Sequence, residues 1–213
     1  MELYGYWRSS ASYRARIALN YKQLDYNYIP VHLIKEGGEQ HKQAYRQLNP
    51  NGLVPTLVDG GVILHQSLAI IEYLEETHPK PSLLPGNAQK RGAIRAIALD
   101  IASELQPLIN LRVQQYLVRE LDADDSAKQA WLKHWFTQSF TALERNLEEV
   151  SGEYCVGDDF SLADVCLVPQ VYSAERFGID LQPYPLLRAI YQRLQQLPWV
   201  AAAHPNKQPD AES

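Results

Sequence analysis

The order of strand-like and helix-like patterns constrains the fold of this chain more than any other feature of its sequence. Up to about residue 78 the patterns alternate as strand, helix, strand, helix, hairpin and helix. After Lys80–Gly86, a segment punctuated by Pro81 and Pro85, no strand pattern recurs. A strand–helix–strand start predicts a right-handed parallel crossover, and the hairpin adds an antiparallel pair. The sequence therefore predicts an α/β unit followed by an all-helical unit.

The predicted elements of the first half are bounded by turn and capping residues. Pro30 lies inside the second strand and favours either an edge position or a bulge there, because proline cannot donate a ladder hydrogen bond. Ser67 is predicted to cap the last helix of this half. In chain order we expect strand Glu2–Tyr6, helix Ser10–Tyr21, strand Tyr26–Leu33, a short helix in Glu39–Leu48, a hairpin around Asp59–Gly61, and a helix from Ser67.

The second half carries helical signals only. A long amphipathic segment from Ala88 to about Glu120 contains Pro107, which predicts a kink. Ser126 is predicted to cap a helix that ends near Val150, and Ser161-Leu162-Ala163-Asp164 fits a capping box. The polar tail from His204 onward carries two prolines and is expected to be loosely ordered.

Composition and charge exclude several classes of function. The 213 residues carry a formal net charge of −5 with dispersed basic residues, which argues against a nucleic-acid partner. No apolar run approaches the roughly 20 residues that span a bilayer, and no secretory signal begins the chain, so we expect a soluble cytoplasmic protein without a membrane partner. Cys155 and Cys166 could in principle pair, but such low usage fits a reducing compartment, and no metal-ligand spacing is present.

A serine-rich junction, Arg8-Ser9-Ser10-Ala11-Ser12, opens the first predicted helix. Serine is a favoured helix cap, so these residues have a purely structural interpretation. A helix start also offers free N–H groups and the positive end of a dipole, which together with hydroxyls and Arg8 would suit an anion. The residues alone leave both interpretations open.

Several strings resemble soluble glutathione transferases, and among their classes the zeta class, which contains the maleylacetoacetate and maleylpyruvate isomerases. The resemblance spans nearly the whole chain. The strings are Arg8–Ser10, Arg14–Leu19, Leu48–Pro50, Val54–Leu57, His65–Leu74, Gln106–Pro107, Asn110, Leu167–Val171 and Ala174–Phe177.

The resemblance implies an α/β plus all-α architecture. A thioredoxin-like, glutathione-binding domain would cover residues 1–80, a linker residues 81–87, and an all-helical domain that completes the substrate pocket residues 88–213. A homodimer is implied by the family and by nothing else in the sequence.

The resemblance also implies how glutathione is held. Ser9 would donate its hydroxyl to the glutathione thiolate, with Ser10 assisting. Pro55 would be cis, so that the Val54 backbone meets the cysteinyl moiety, and Gln66 and Ser67 would hold the γ-glutamyl carboxylate. His32, Lys35 and Gln40 are candidates for the glycine end, with solvated surface as the alternative, and Gln106 and Asn110 are candidates for lining the cofactor pocket.

The implied reaction is glutathione-dependent cis–trans isomerisation of a maleyl dicarboxylate in tyrosine or phenylalanine catabolism. Arginine forks match carboxylates, so Arg8, Arg112 and Arg176 are the substrate candidates. A solvated helix arginine is the alternative for Arg112. Arg14 and Arg16 lie inside the first helix, where a structural role is equally open.

One residue departs from the zeta pattern. Many zeta members carry cysteine where this chain has Ala11. A protein thiol at this position is therefore not expected to take part, since glutathione supplies the nucleophile. Two other functions stay open: a transferase that conjugates electrophiles, and a non-catalytic glutathione-transferase-like interaction module.

Overall fold

A computed structural model describes residues 1–212 of the chain. The chain forms two compact units, one of residues 1–83 together with the segment from Gln196 onward, the other of residues 84–195. The first half contains β1 Glu2–Gly5, α1 Ser10–Tyr21, β2 Asn27–Pro30, α2 Gln43–Leu48, β3 Thr56–Asp59, β4 Val62–His65 and α3 Ser67–Thr77. The rest contains α4 Ala88–Leu99, α5 Gln106–Leu108, α6 Leu111–Glu120, α7 Asp125–Val150, α8 Leu162–Arg176, α9 Pro185–Leu194 and α10 Pro198–Ala203.

The four strands form one mixed sheet in the order β2-β1-β3-β4. Strands β1 and β2 are parallel, whereas β3 is antiparallel to both β1 and β4. The predicted crossover and hairpin are thus confirmed, and Pro30 lies on an edge strand as expected. Helices α1 and α3 pack together over the sheet, and the core between them is fully buried: Leu3, Ala15, Leu19, Leu57, Ile70 and Leu74.

The segment from Gln196 onward packs with the first unit, whereas the sequence-based boundaries assign it to the helical domain. Helix α10 lies against α1, where the Arg16 Nε donates to the Ala203 carbonyl at 3.1 Å and the Asn20 amide donates to the Trp199 carbonyl at 3.2 Å. Burial lowers the pKa of Arg16, and nearby tyrosines and Asp210 oppose that shift. Because a buried guanidinium needs acceptors, the Ala203 carbonyl at the end of α10 completes the surroundings of Arg16 in this unit.

In the second unit, α8 is buried on nearly all sides and packs against α4 and α9. The predicted capping box is present, with the Ser161 N–H donating to the Asp164 carboxylate at 2.8 Å. Asp124 caps α7 by accepting from the Ala127 N–H, so the prediction of Ser126 as cap is wrong by one half-turn. The segment around Pro107 is irregular, as predicted: a π-helical stretch, Asp100–Leu105, precedes α5, and Asn110 starts α6.

A buried ion pair ties the end of α1 to α3 and the linker. The Lys22 Nζ lies 2.7 Å from Glu75 Oε2, 2.6 Å from the His78 carbonyl and 3.0 Å from the Pro81 carbonyl. The same carboxylate accepts from the Leu83 N–H at 2.9 Å. Burial alone would raise the pKa of Glu75, but these hydrogen bonds and the Lys22 charge hold it below its usual value. The carboxylate therefore stays ionised beside its cation.

Lys22→Met should lower the free energy of unfolding by about 3 kcal/mol, because it leaves the Glu75 carboxylate buried without its cation. Denaturant titration at neutral pH measures the loss. The double variant Lys22→Met/Glu75→Gln should be more stable than the single one. Lys128→Met, which removes an exposed pair with Asp125, is the control and should change stability little. Equal losses from Lys22→Met and Lys128→Met would contradict the assignment.

The pH dependence follows from the depressed pKa of Glu75. Its stabilising contribution is fully present above the unfolded-state pKa of about 4.3 and is lost as the pH falls through the lower folded-state value. In Glu75→Gln, the loss of unfolding free energy that protonation of Glu75 causes at acidic pH should be absent.

Candidate active site

One edge of the sheet brings together the predicted site residues of the first unit. The strand register aligns Tyr4, Thr56 and His65 in one row across β1, β3 and β4, and Gly5 beside Pro30 of β2. Strands β1, β2 and β4 end at this row, and β3 begins there. The segments that follow β1, β2 and β4 and the segment that precedes β3 therefore lie at the same edge of the sheet. These segments carry Arg8, Ser9, Ser10, His32, Lys35, Gln40, Val54, Pro55, Gln66 and Ser67.

Ser9 is the cap of α1. Its Oγ accepts a hydrogen bond from the Ser12 N–H at 3.2 Å, so the capping interpretation is confirmed. A serine hydroxyl that accepts in this way still has its own hydrogen to donate. Ser10 is the first residue of α1, where the backbone N–H groups have no partner within the helix. Capping and anion binding are therefore compatible at Ser9.

The turn before Ser9 is fixed through both backbone groups of Trp7. Its N–H donates to Asp210 Oδ2 at 3.0 Å, and its carbonyl accepts from Arg16 Nη2 at 3.0 Å. The Arg8 guanidinium carbon lies 4.8 Å from the centroid of the Trp7 ring, a cation–π contact that orients Arg8. Because Arg16 is fully buried and bound to backbone carbonyls, its role is structural.

Two side chains hold the loop that contains Val54 and Pro55. The peptide bond between these residues is cis, as the resemblance implied. On either side of it, Tyr45 and Asn49 each contact both the Leu53 carbonyl and the Thr56 hydroxyl, at 2.6 to 3.2 Å. This loop is consequently fixed at the start of β3.

The turn into α3 departs from the predicted serine cap. Gln66 precedes the helix with φ of 72°, a left-handed backbone that a non-glycine residue adopts at a cost of about 1–3 kcal/mol, and Ser67 is the first helical residue. Gln66 is exposed, whereas Ser67 is buried and accepts at its Oγ from the Arg14 Nε at 3.1 Å. The Gln66 side chain makes no capping hydrogen bond to α3.

The C-terminal tail is bound to this edge, so the expectation of a loose tail is wrong. Besides the contact of Asp210 with Trp7, Glu212 Oε1 lies 2.6 Å from Lys35 Nζ and 3.1 Å from His32 Nε2. The His32 Nδ1 accepts from the N–H groups of Ile34 and Lys35, so Nε2 carries the hydrogen that Glu212 receives. The hydrogen bonds from Lys35 and His32 lower the pKa of Glu212.

Gln40, like Ser67, is a buried member of the predicted residues of this edge. Its side chain is 7% exposed and donates from Nε2 to the Leu33 carbonyl at 3.3 Å. A side chain on Gly38, which has φ of 100°, would collide with that carboxamide. Gln40 therefore stabilises the segment after β2 through its hydrogen bond to the Leu33 carbonyl.

Comparison with known proteins decides the family. The sequence model for the glutathione S-transferase N-terminal domain matches residues 3–82, and that for the C-terminal domain matches residues 111–203. A probable maleylacetoacetate isomerase of Vibrio cholerae is 54% identical over 98% of this chain and 97% of its own length. The chain belongs to the glutathione S-transferase family.

Solved structures support the zeta resemblance. A holo maleylpyruvate isomerase, described as a bacterial glutathione S-transferase of the zeta class, superposes with a TM-score of 0.96 at 45% identity, and all of both chains is covered. A maleylacetoacetate isomerase from Anaeromyxobacter dehalogenans, with bound dicarboxyethyl glutathione and citrate, gives a TM-score of 0.87 at 37% identity, covering 100% of this chain and 97% of that one. The predicted fold class, thioredoxin-like followed by helical, is confirmed.

The remaining predicted residues of this glutathione S-transferase belong to the second unit. Gln106 is half-buried at the start of α5, and Asn110 caps α6 by accepting from the Arg112 N–H at 3.1 Å. Arg112 is exposed, and Arg176 ends α8 with its guanidinium 4.5 Å from the centroid of the Phe177 ring. These four assignments stay predictions.

Neither cysteine lies at the edge that carries the candidate site. Cys155 and Cys166 are buried in the second unit and are not disulfide-bonded. Burial and the neighbouring Asp164 carboxylate raise the pKa of the Cys155 thiol well above its usual value. Within residues 1–212 no group of histidine, cysteine and acidic side chains is arranged to hold a metal, and no helix is long and apolar enough to cross a bilayer.

Sequence reasoning missed three contributors to this edge. The sequence pattern predicts a loose tail for Asp210 and Glu212, and it leaves both a structural and a substrate-binding role open for Arg14. Their partners lie 203, 180 and 53 residues away along the chain, so no local sequence pattern indicates these contacts. The sequence feature that points to such contacts is the presence of arginines at core-facing positions of α1, where each guanidinium needs acceptors.

Proposed function

We propose that this chain is a glutathione-dependent cis–trans isomerase that converts maleylacetoacetate or maleylpyruvate to its fumaryl isomer in tyrosine and phenylalanine catabolism. The observation that carries the proposal is the Ser9 hydroxyl at the start of α1. It accepts from Ser12 and keeps its own hydrogen for a thiolate. The names of the relatives support the substrate class, and the dicarboxyethyl glutathione in one of them is a thioether of the expected kind.

Glutathione would bind along the edge of the sheet. Gln66 and Ser67 are the proposed ligands of the γ-glutamyl carboxylate at the start of α3, where N–H groups favour an anion. The Val54 backbone would meet the cysteinyl moiety, and Ser9, with Ser10, the sulfur. His32 and Lys35 would meet the glycyl carboxylate, with Gln40 as a proposed third member of that end.

The protein must stabilise the thiolate of glutathione. A free thiol with a pKa of about 8.5 is only a few per cent ionised at neutral pH. Lowering that pKa to about 6.5 requires about 2.7 kcal/mol. A helix start contributes about 0.3–2 kcal/mol, and a hydroxyl hydrogen bond to an anion about 1.5–3 kcal/mol. Together they amount to about 1.8–5 kcal/mol, a range that includes the required value, so the proposal invokes no general base.

The reaction needs no net redox change. The thiolate electron pair forms a carbon–sulfur bond while the cis double bond opens to an enolate, and the remaining single bond rotates. The enolate then re-forms the double bond in the trans arrangement and expels the thiolate, so glutathione returns unconsumed. Arg8, Arg112 and Arg176 are the proposed carboxylate ligands, with Gln106 and Asn110 lining the cofactor. The proposal includes a cytoplasmic location and a homodimer, both implied by the resemblance.

Incubation with maleylacetone or maleylpyruvate tests the activity. Product should form many times over with catalytic glutathione and not without it, while the free thiol concentration stays constant. Stoichiometric loss of thiol would instead identify a conjugating transferase. If neither turnover nor conjugation is observed, the isomerase is rejected and the non-catalytic interaction module is the interpretation that remains.

Ser9→Ala should lower kcat/KM by about 10- to 100-fold, the effect of losing one hydrogen bond to an anion. Because Ser9 also caps α1, Ser9→Asp provides the matched variant: it can still cap the helix but has no hydroxyl to donate. Both variants should lose activity while Ser126→Ala, on the exposed face of α7, keeps it. Full activity in Ser9→Asp would refute the donor role.

Glu212→Gln should lower the KM for glutathione about two- to five-fold with kcat unchanged, because the exposed Glu212 carboxylate binds weakly but competes with the glycyl carboxylate for the same donors, His32 Nε2 and Lys35 Nζ. The depressed pKa of Glu212 keeps this carboxylate ionised at neutral pH. Glu36→Gln, which removes the neighbouring pair with Lys42, is the control and should leave the KM unaltered. An unchanged KM in Glu212→Gln would exclude His32 and Lys35 as ligands of the glycyl carboxylate.

A further inference from the structure

Arg14 is a buried cation that contacts a proposed glutathione ligand. It lies in α1 with 2% of its surface exposed, and its Nε donates to Ser67 Oγ at 3.1 Å. Ser67 is itself 5% exposed and is the first residue of α3. The contact joins the starts of the two helices that border the candidate site.

The direction of this hydrogen bond sets what Ser67 can do. A guanidinium Nε only donates, so the Ser67 oxygen must accept there, and the single hydroxyl hydrogen points elsewhere. A carboxylate has only acceptors when ionised. By occupying a lone pair, Arg14 leaves Ser67 as a donor toward an anion in front of α3.

The positive charge of Arg14 also favours an anion in front of α3. An arginine remains protonated in proteins even when buried, so it places a full positive charge behind the start of α3. The dipole of that helix adds a partial positive charge at the same end. A carboxylate bound at this point gains from both.

Arg16 shows that a buried arginine in α1 need not have this function. It is as fully buried as Arg14, but its Nε and Nη2 donate to the carbonyls of Ala203 and Trp7. Those contacts fasten α10 and the turn before Ser9, and neither involves a side chain proposed to touch glutathione. Arg16 therefore serves as the internal comparison.

We propose that Arg14 is the positioning residue for the γ-glutamyl carboxylate of glutathione: it fixes the Ser67 hydroxyl as a donor and supplies a buried charge behind it. The inference rests on the proposed function, in which Ser67 meets that carboxylate. Arg14 acts through Ser67 and does not contact the reacting sulfur. Its loss weakens binding of one end of glutathione and leaves the chemistry at the other end intact.

The test compares glutathione with its analogue 4-aminobutanoyl-cysteinyl-glycine, which lacks only the γ-glutamyl carboxylate. Calorimetry should show the unaltered protein binding glutathione at least tenfold more tightly than the analogue. Arg14→Gln should weaken glutathione binding about tenfold, while the affinity for the analogue stays the same. In turnover with maleylacetone, the KM for glutathione should rise with kcat nearly unchanged.

A double variant tests whether Arg14 affects glutathione binding through Ser67. In the Ser67→Ala background, Arg14→Gln should weaken glutathione binding by clearly less than tenfold, because the hydroxyl it orients is gone. Arg16→Lys, the comparison variant, should lower the melting temperature and leave the preference for glutathione over the analogue unchanged. A purely structural Arg14 would behave like Arg16.

The outcomes separate this proposal from the function on which it rests. An unaltered protein that binds both ligands equally contradicts the assignment of Ser67 to the carboxylate. An unaltered protein that prefers glutathione, with the same preference in Arg14→Gln, overturns the role of Arg14 alone. If Arg14→Gln does not fold, Arg14→Met, which removes both the donor and the charge, replaces it: a reduced preference supports the proposal, and an unchanged preference overturns it.

Discussion

Buried positive charge near helix α1 determines how the first unit is assembled. A cation removed from water must be matched by acceptors, since an unmatched one costs several kcal/mol. Arg14 meets Ser67 at the start of α3, Arg16 meets carbonyls of Trp7 and Ala203, and Lys22 meets Glu75. Each match fastens another segment of the first unit to α1. The site at the edge of the sheet is built where two of these segments, the turn before Ser9 and the start of α3, come together.

Two serines of the site have the same hydrogen-bond pattern. Ser9 accepts from a backbone N–H one turn later, and Ser67 accepts from a guanidinium. In both cases the protein supplies the donor, which leaves each hydroxyl hydrogen for a ligand. Both serines also lie at the start of a helix, where the backbone favours negative charge. A molecule with a thiolate and a carboxylate suits this pair of sites.

Local patterns were sufficient for the elements and for part of the site. Helix α1 begins and ends where its serine-rich start and Tyr21 predicted, and Asp164 takes its place in the capping box, because these features depend on neighbours in sequence. The tail and the cap of α3 could not be predicted. Asp210 meets an amide 203 residues away, and Gln66 takes a left-handed conformation that no preference of glutamine indicates. The resemblance indicates Ser67, but its contact with Arg14 depends on the packing of α1 against α3 and has no local sequence signal.

The return of the chain to its first unit bears on the order in which the protein is made. Residues 1–83 are synthesised before α10 and Asp210, which complete the surroundings of Arg16 and Trp7. The intervening residues 84–195, which form the second unit with its own buried helix, are synthesised between the two. The first unit therefore cannot be completed until the segment from Gln196 onward has left the ribosome. Until then, the edge of the sheet that carries the candidate site is incomplete.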